Sequence, residues 1–151
     1  FKEIRLSQDD SGVGEYRGAP GALITLGPSE NPMTVVFGSD GMVNPPRGAQ
    51  GGGDGNVNQM YLIQVDGTKE SIPNVGQIEL FQGMWISGRE SSGGGYGDPF
   101  CRDPEKVLSD VVEKYVSIQS ARISYGVAFL GSLENDTLSV DYSTTSALRD
   151  G

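Results

Sequence analysis

Apolar positions along this chain fall into short, turn-bounded runs up to about residue 90 and then change to helical spacing. Ile4 and Leu6 sit between charged residues and suit a short half-buried strand over 2–6. ALITL (22–26) and MTVVF (33–37) read as two strands joined by the turn-forming GPSENP and paired antiparallel. QMYLIQV (59–65) is a further strand, closed by Asp66-Gly67 as a hairpin turn. The return over 68–73 is a sheet edge, because Pro73 cannot donate to a ladder. Two more short strands, 75–81 and 84–87, flank Gln82-Gly83.

Val107, Leu108, Val111, Val112 and Tyr115 then recur at the spacing of one helix face. Asp103-Pro104-Glu105 supplies the start: a capping carboxylate, a proline where an amide would be unpaired, and an acid near the positive helix end. Ser117 opens a second helix whose Ile118, Ala121 and Tyr125 share a face, and Gly126 closes it. Residues 127–130 and 137–142 are expected as strands around GSLEND, with a last helical turn at 144–149. The pattern predicts an α+β, mainly β fold: antiparallel sandwich or barrel-like sheets with long glycine-rich loops and a C-terminal helical hairpin. It is expected as one domain over 1–151, β-rich in 1–90, glycine loop and helical hairpin in 91–126, terminal strands in 127–143.

Three segments, 9–21, 45–58 and 91–97, break the periodicity with glycine. Each glycine costs roughly 0.5 to 1 kcal/mol more than alanine to order, so such runs need a geometric reason: special dihedrals or a close approach of main chain. The expectation is that they lie against a neighbouring subunit or a sister loop. Within them, Tyr16-Arg17-Gly18 presents an arginine suited to an anionic ligand or a partner carboxylate; the alternative is an arginine tying down loop carbonyls. Arg47, Gly48, Gly51 and Gly52 resemble a phosphate cradle, but no Lys-Ser/Thr follows, so this is not a P-loop. Gly94, Gly95, Tyr96, Gly97, Asp98 and Arg102 complete the candidate ligand or interface loops, and Trp85, just ahead of them, is expected as a core or interface anchor. The carboxylates Glu15, Asp54, Asp98 and Asp103 offer either a general base or ordinary turn chemistry.

Composition narrows the chemistry. With no histidine and only Cys101, the chain has neither a Cys/His set for zinc or iron nor an imidazole base for a serine or cysteine nucleophile. A net charge of −9 argues against nucleic acid and anionic membranes as partners. No apolar run reaches the roughly 18 residues of a membrane span and no signal peptide is visible, so the cytoplasm is the expected compartment. The chain starts at Phe1 rather than methionine, which leaves room for a preceding segment.

GGGYGDPFCRDPEKVLSDVVEKYVSIQSARISYGV (93–127), DDSGVGEYRGAPG (9–21) and PPRGAQGGGDGNVN (45–58) together resemble the C-terminal region of the hydantoinase B / oxoprolinase family. One departure is Phe81-Gln82-Gly83, where that family usually carries a Gly-Asp step, so no acidic role is carried over to this turn. The resemblance implies a small subunit or C-terminal domain of a multisubunit ATP-dependent enzyme. Its relatives open cyclic amides such as hydantoins and oxoproline, or carboxylate acetone or acetophenone. It implies larger hydantoinase A-type and B-type subunits as partners in a hetero-oligomer. ATP with its divalent metal would sit on the A-type partner and no cofactor on this chain, which would not be active alone. The alternative is a non-catalytic scaffold domain docked within such a complex.

Overall fold

The computed structural model describes residues 1–151. Strands β1 (Glu3–Leu6), β2 (Ala22–Leu26), β4 (Gln59–Ile63), β5 (Lys69–Ser71) and β7 (Trp85–Arg89) form one antiparallel sheet in the order β1-β2-β7-β4-β5. β3 (Met33–Gly38) and β6 (Val75–Leu80) form a separate two-stranded sheet. The two sheets pack through Leu62, Leu80 and Ile86, so the fold is an open sandwich rather than a closed barrel.

This corrects the expected pairing of 22–26 with 33–37. Both edges of β2 are occupied, by β1 and β7, so GPSENP carries the chain from one sheet to the other instead of closing a hairpin. The Asp66-Gly67 turn forms as expected, with Gly67 at φ +87 and the Asp66 carboxylate accepting from Thr68 N at 2.8 Å. β5 is indeed an edge.

The C-terminal third builds a second core. Helix α1 (Pro104–Val112) starts at Asp103, whose side chain accepts from Glu105 N at 3.0 Å, and it buries Val107 and Val111. Helix α2 (Ile118–Tyr125) is capped by Ser117, whose hydroxyl accepts from Ser120 N, and ends at Gly126 in the left-handed region. Their apolar faces join Val116, Val127 and Val140. The last two strands are shorter than expected, β8 (Phe129–Leu130) and β9 (Ser139–Val140). The last helical turn is instead a nine-residue helix, α3 (Tyr142–Asp150). Its cause is Asp141, whose carboxylate accepts from Thr144 N at 3.0 Å and from Thr144 Oγ1 at 2.7 Å, so Tyr142 opens a helix instead of closing a strand. No helix is long and apolar enough to cross a membrane.

Tyr125 is fully buried at the centre of this core, and its hydroxyl has no hydrogen-bond partner. Burial pushes the phenol up to about 12, against the opposing pull of nearby Arg102. A folded-state pKa above the unfolded value means stability that is intact below pH ~10 and is lost as pH rises from there through about 12. Tyr125→Phe is therefore expected to unfold at or above the wild-type denaturant midpoint at pH 7, since it deletes an unpartnered polar atom and keeps the ring. It should also lose less stability than wild type between pH 9 and pH 11. Equal alkaline losses in the two proteins would refute this.

Candidate functional site

The three glycine segments converge between the two cores. Segment 91–97 runs through the middle: Gly12 N donates to Gly93 O (2.9 Å), Gly93 N to Ala19 O (2.8 Å), Gly95 N to Gly53 O (2.9 Å) and Ala49 N to Gly95 O (2.9 Å). Gly53 N donates to Val13 O at 2.7 Å, which closes the triangle between the first and second segments. Tyr16 and Tyr96 exchange a reciprocal pair of backbone bonds, both 2.9 Å. The expected reason for the glycines is thus the sister loop: their backbones serve one another.

Close approach, more than dihedral freedom, requires glycine here. A Cβ added at Gly12, Gly18, Gly48, Gly52, Gly94 or Gly95 would fall less than 3.0 Å from backbone atoms, in most of these cases belonging to another of the three segments. None of those six positions has a positive φ. The same restriction puts glycine at the crowded axis of other multi-chain extended bundles. Gly51 and Gly97 differ, with φ of +92 and +77.

Two of the three predicted arginines are committed inside the molecule. Arg17 and Arg102 converge on Asp110 of α1: Arg17 Nη2 lies 3.1 Å from Oδ1, and Arg102 Nε and Nη2 donate to Oδ2 at 3.1 and 2.9 Å. Arg17 Nη1 also donates to Gly18 O (2.8 Å), with the guanidinium 4.9 Å over the Tyr115 ring, and Arg102 Nη1 donates to Glu15 O (2.9 Å). Arg17 thus holds one loop carbonyl, that of Gly18, together with the Asp110 carboxylate of the same chain. Asp110 was not singled out from the sequence, although the signal is there: it falls on the apolar stripe, between Val107 and Val111, where a lone carboxylate needs a buried partner.

Asp10 was missed as well. It is buried, accepts from Asn56 Nδ2 at 2.6 Å and lies 3.6 Å from Arg89 Nη1, locking the first segment to the second beside the end of β7.

The remaining candidates divide between surface and turn. Arg47 is exposed and pairs with Asp54 at 2.6 Å; the Gly48 amide, with Arg47 behind it, holds the Asp54 carboxyl below its usual range. Asp98 accepts from Phe100 N at 2.9 Å and caps a single 3-10 turn over 99–101, and Asp103 caps α1, so these carboxylates do turn chemistry. Tyr16 and Tyr96 stand exposed with ring centroids 6.2 Å apart. Trp85 is not part of the bundle. It begins β7 against Gly27 and Lys2, about 20 Å along an extended strand from the loop that starts at Ser91.

None of the predicted site residues lines any of the four concave regions of the surface. The largest, an open groove of about 640 Å³, lies at the α1–α2 junction around Val111, Lys114, Val116 and Leu133. The bundle thus offers a locked backbone and an exposed tyrosine pair.

A family model described as hydantoinase B/oxoprolinase matches residues 1–99. The chain belongs to that family. Among relatives of this hydantoinase B-family chain, the beta subunit of caprolactamase from Pseudomonas jessenii is 33% identical over 135 residues, covering 87% of this chain and 23% of the relative. The B-type subunit of a putative D-/L-hydantoinase from Pseudomonas sp. (strain NS671) is 31% identical over 147 residues, covering 95% of this chain and 24% of the relative. The crystal structure of the ATP-dependent caprolactamase from Pseudomonas jessenii superposes with a TM-score of 0.74 at 28% identity, over 99% of this chain and 26% of that one. Acetone carboxylase in its nucleotide-free form shares the fold, with a TM-score of 0.74 at 18% identity over 97% of this chain and 24% of that one. The chain spans about a quarter of the length of the relatives it matches.

Proposed function

We propose that this chain is the C-terminal structural part of a hydantoinase B-type subunit, whether separately encoded or the end of a longer polypeptide. The assembly it serves is an ATP-dependent hetero-oligomer that opens a cyclic amide. What supports the amide reading is that the two relatives named for lactam or hydantoin work are 33% and 31% identical to this chain. In this reading ATP and its divalent metal are handled by a hydantoinase A-type partner.

The observation that supports a structural role most is the fate of Arg17 and Arg102. Both guanidiniums pair with Asp110 and donate to a loop carbonyl, and the one nitrogen without a partner, Arg17 Nε, is buried, which supports a structural part over holding a substrate or a phosphate. The exposed Tyr16–Tyr96 pair suits a docking surface, where tyrosine is enriched. The test is ATP hydrolysis with caprolactam or hydantoin present, by the isolated chain and by the native complex recovered through a tag on it. The complex is expected to hydrolyse ATP and the chain alone to show none. Turnover by the chain alone, or recovery of no large subunit, would overturn the reading.

A further inference from the structure

The five-stranded sheet guards one edge and leaves the other open. β5 is three residues long, Lys69, Glu70 and Ser71, all exposed, with Pro73 just beyond; brevity, charge and proline are what keep an edge from pairing. β1 is also short and carries Glu3 and Arg5, but it has no proline in or just beyond it, and the alternate residues Ile4 and Leu6 are apolar and 63% and 52% exposed.

The register shows which backbone groups are free. β1 meets β2 as Glu3↔Thr25, Ile4↔Ile24, Arg5↔Leu23 and Leu6↔Ala22, and Ser7 N donates to Gly21 O at 2.8 Å. Bonded and non-bonded pairs alternate along an antiparallel ladder, so Glu3, Arg5 and Ser7 bond to β2 while the N–H and C=O groups of Ile4 and Leu6 point outward. β2 agrees: Ala22 O accepts from Glu90 N, so its even-numbered residues bond to β7.

The side chains of Ile4 and Leu6 share a sheet face with Ile24 and Ile86, by the same alternation. β3 and β6 cover only part of that face. Ile24 and Ile86 line a slot of about 190 Å³ with Val35 and Phe37, and Ile4 and Leu6, on the same sheet face nearer the free edge, are exposed.

We propose that an extended segment from the remainder of a hydantoinase B-type subunit pairs with β1 as a sixth strand and lays apolar side chains against Ile4 and Leu6. This rests on the function proposed above. The relatives are about four times as long as this chain, so most of such a subunit lies outside it and can supply the strand. A second copy fits poorly. Four residues from each of two edges bury far less than the roughly 1,000 Å² of a specific interface, and each copy carries a charge of −9.

Hydrogen exchange on the isolated chain and on the native complex tests the proposal. The amides of Ile4 and Leu6 are expected to slow at least tenfold on assembly, with the outward amides of Lys69 and Ser71 on the guarded edge unchanged. Ile4→Pro removes one outward N–H and none of the β1–β2 bonds, so the isolated chain should melt as wild type does while its recovery of the remainder of the subunit, expressed as a separate polypeptide, falls at least tenfold. Leu6→Lys should act the same way through the apolar face. Complex recovery unaffected by both variants, or unprotected amides at 4 and 6 in the complex, overturns the proposal. So does an isolated-chain dimer that Ile4→Pro dissolves, which would assign the edge to a second copy. Failure of wild type to recover any large subunit sinks the proposed function instead, which separates the two.

Discussion

Gly95→Ala is expected to destabilise the isolated chain by about 3 to 5 kcal/mol, a large share of the roughly 5 to 15 kcal/mol that holds an average domain folded. A Cβ there would lie far inside van der Waals contact with the Val13 carbonyl. That carbonyl cannot simply move, because it accepts from Gly53 N at 2.7 Å. Gly95 cannot move either, since its N–H bonds Gly53 O and its carbonyl accepts from Ala49 N, both at 2.9 Å. Relief therefore breaks bonds between all three segments, and each buried backbone group left unpaired costs about 1 to 3 kcal/mol. Gly38→Ala is the control. A Cβ at Gly38 meets nothing within 4 Å, and this strand-end position has no positive φ, so the change should be neutral or stabilising by up to about 1 kcal/mol. Urea unfolding of both variants checks the pair. A Gly95→Ala midpoint equal to wild type would mean that the bundle is looser than its hydrogen bonds imply. Gly95→Val should go further and leave no folded chain to assemble.

What the sequence made legible follows the range of the interactions involved. Helix starts at Asp103 and Ser117 and the stop at Gly126 depend on a few neighbouring residues, and they appear where the local chemistry puts them. The Asp66-Gly67 turn is local in the same sense. Strand positions were readable and strand partners were not: β2 and β3 are neighbours in sequence, yet which edge each takes depends on β7 and β6, far along the chain. The end of the chain was misread for a different reason. The strand expected over 137–142 ran through Asp141, whose cap opens the helix at Tyr142, two residues ahead of the helical turn expected at 144–149. At the candidate site, the glycines announced a close approach without naming its object. The role of Arg17 stayed open between an anionic partner and loop carbonyls because Asp110, which Arg17 and Arg102 share, is remote in sequence and sits on a helix face that otherwise reads as core.

Asp110→Ala is expected to cost about 3 to 5 kcal/mol, the range for breaking a buried ion pair by removing one partner. The side chains of Arg17 and Arg102 are only 13% and 12% exposed, so without the carboxylate two guanidiniums face each other with little water to screen them. The loss should spread to the bundle, because the same guanidiniums hold Gly18 O and Glu15 O of the first segment. Loosening there should appear as faster exchange of the Tyr16 and Tyr96 amides, each of which donates to the other residue's carbonyl at 2.9 Å. Raising the salt concentration should rescue little, since buried charges are poorly screened. A triple variant, Asp110→Leu with Arg17→Met and Arg102→Met, separates charge from geometry. If uncompensated charge dominates, removing all three groups is expected to restore stability towards wild type relative to Asp110→Ala, as neutral replacements of buried ion clusters do elsewhere. If the triple variant is as unstable as Asp110→Ala, the cluster acts instead through its directed bonds to the glycine-segment carbonyls, which no methionine can replace.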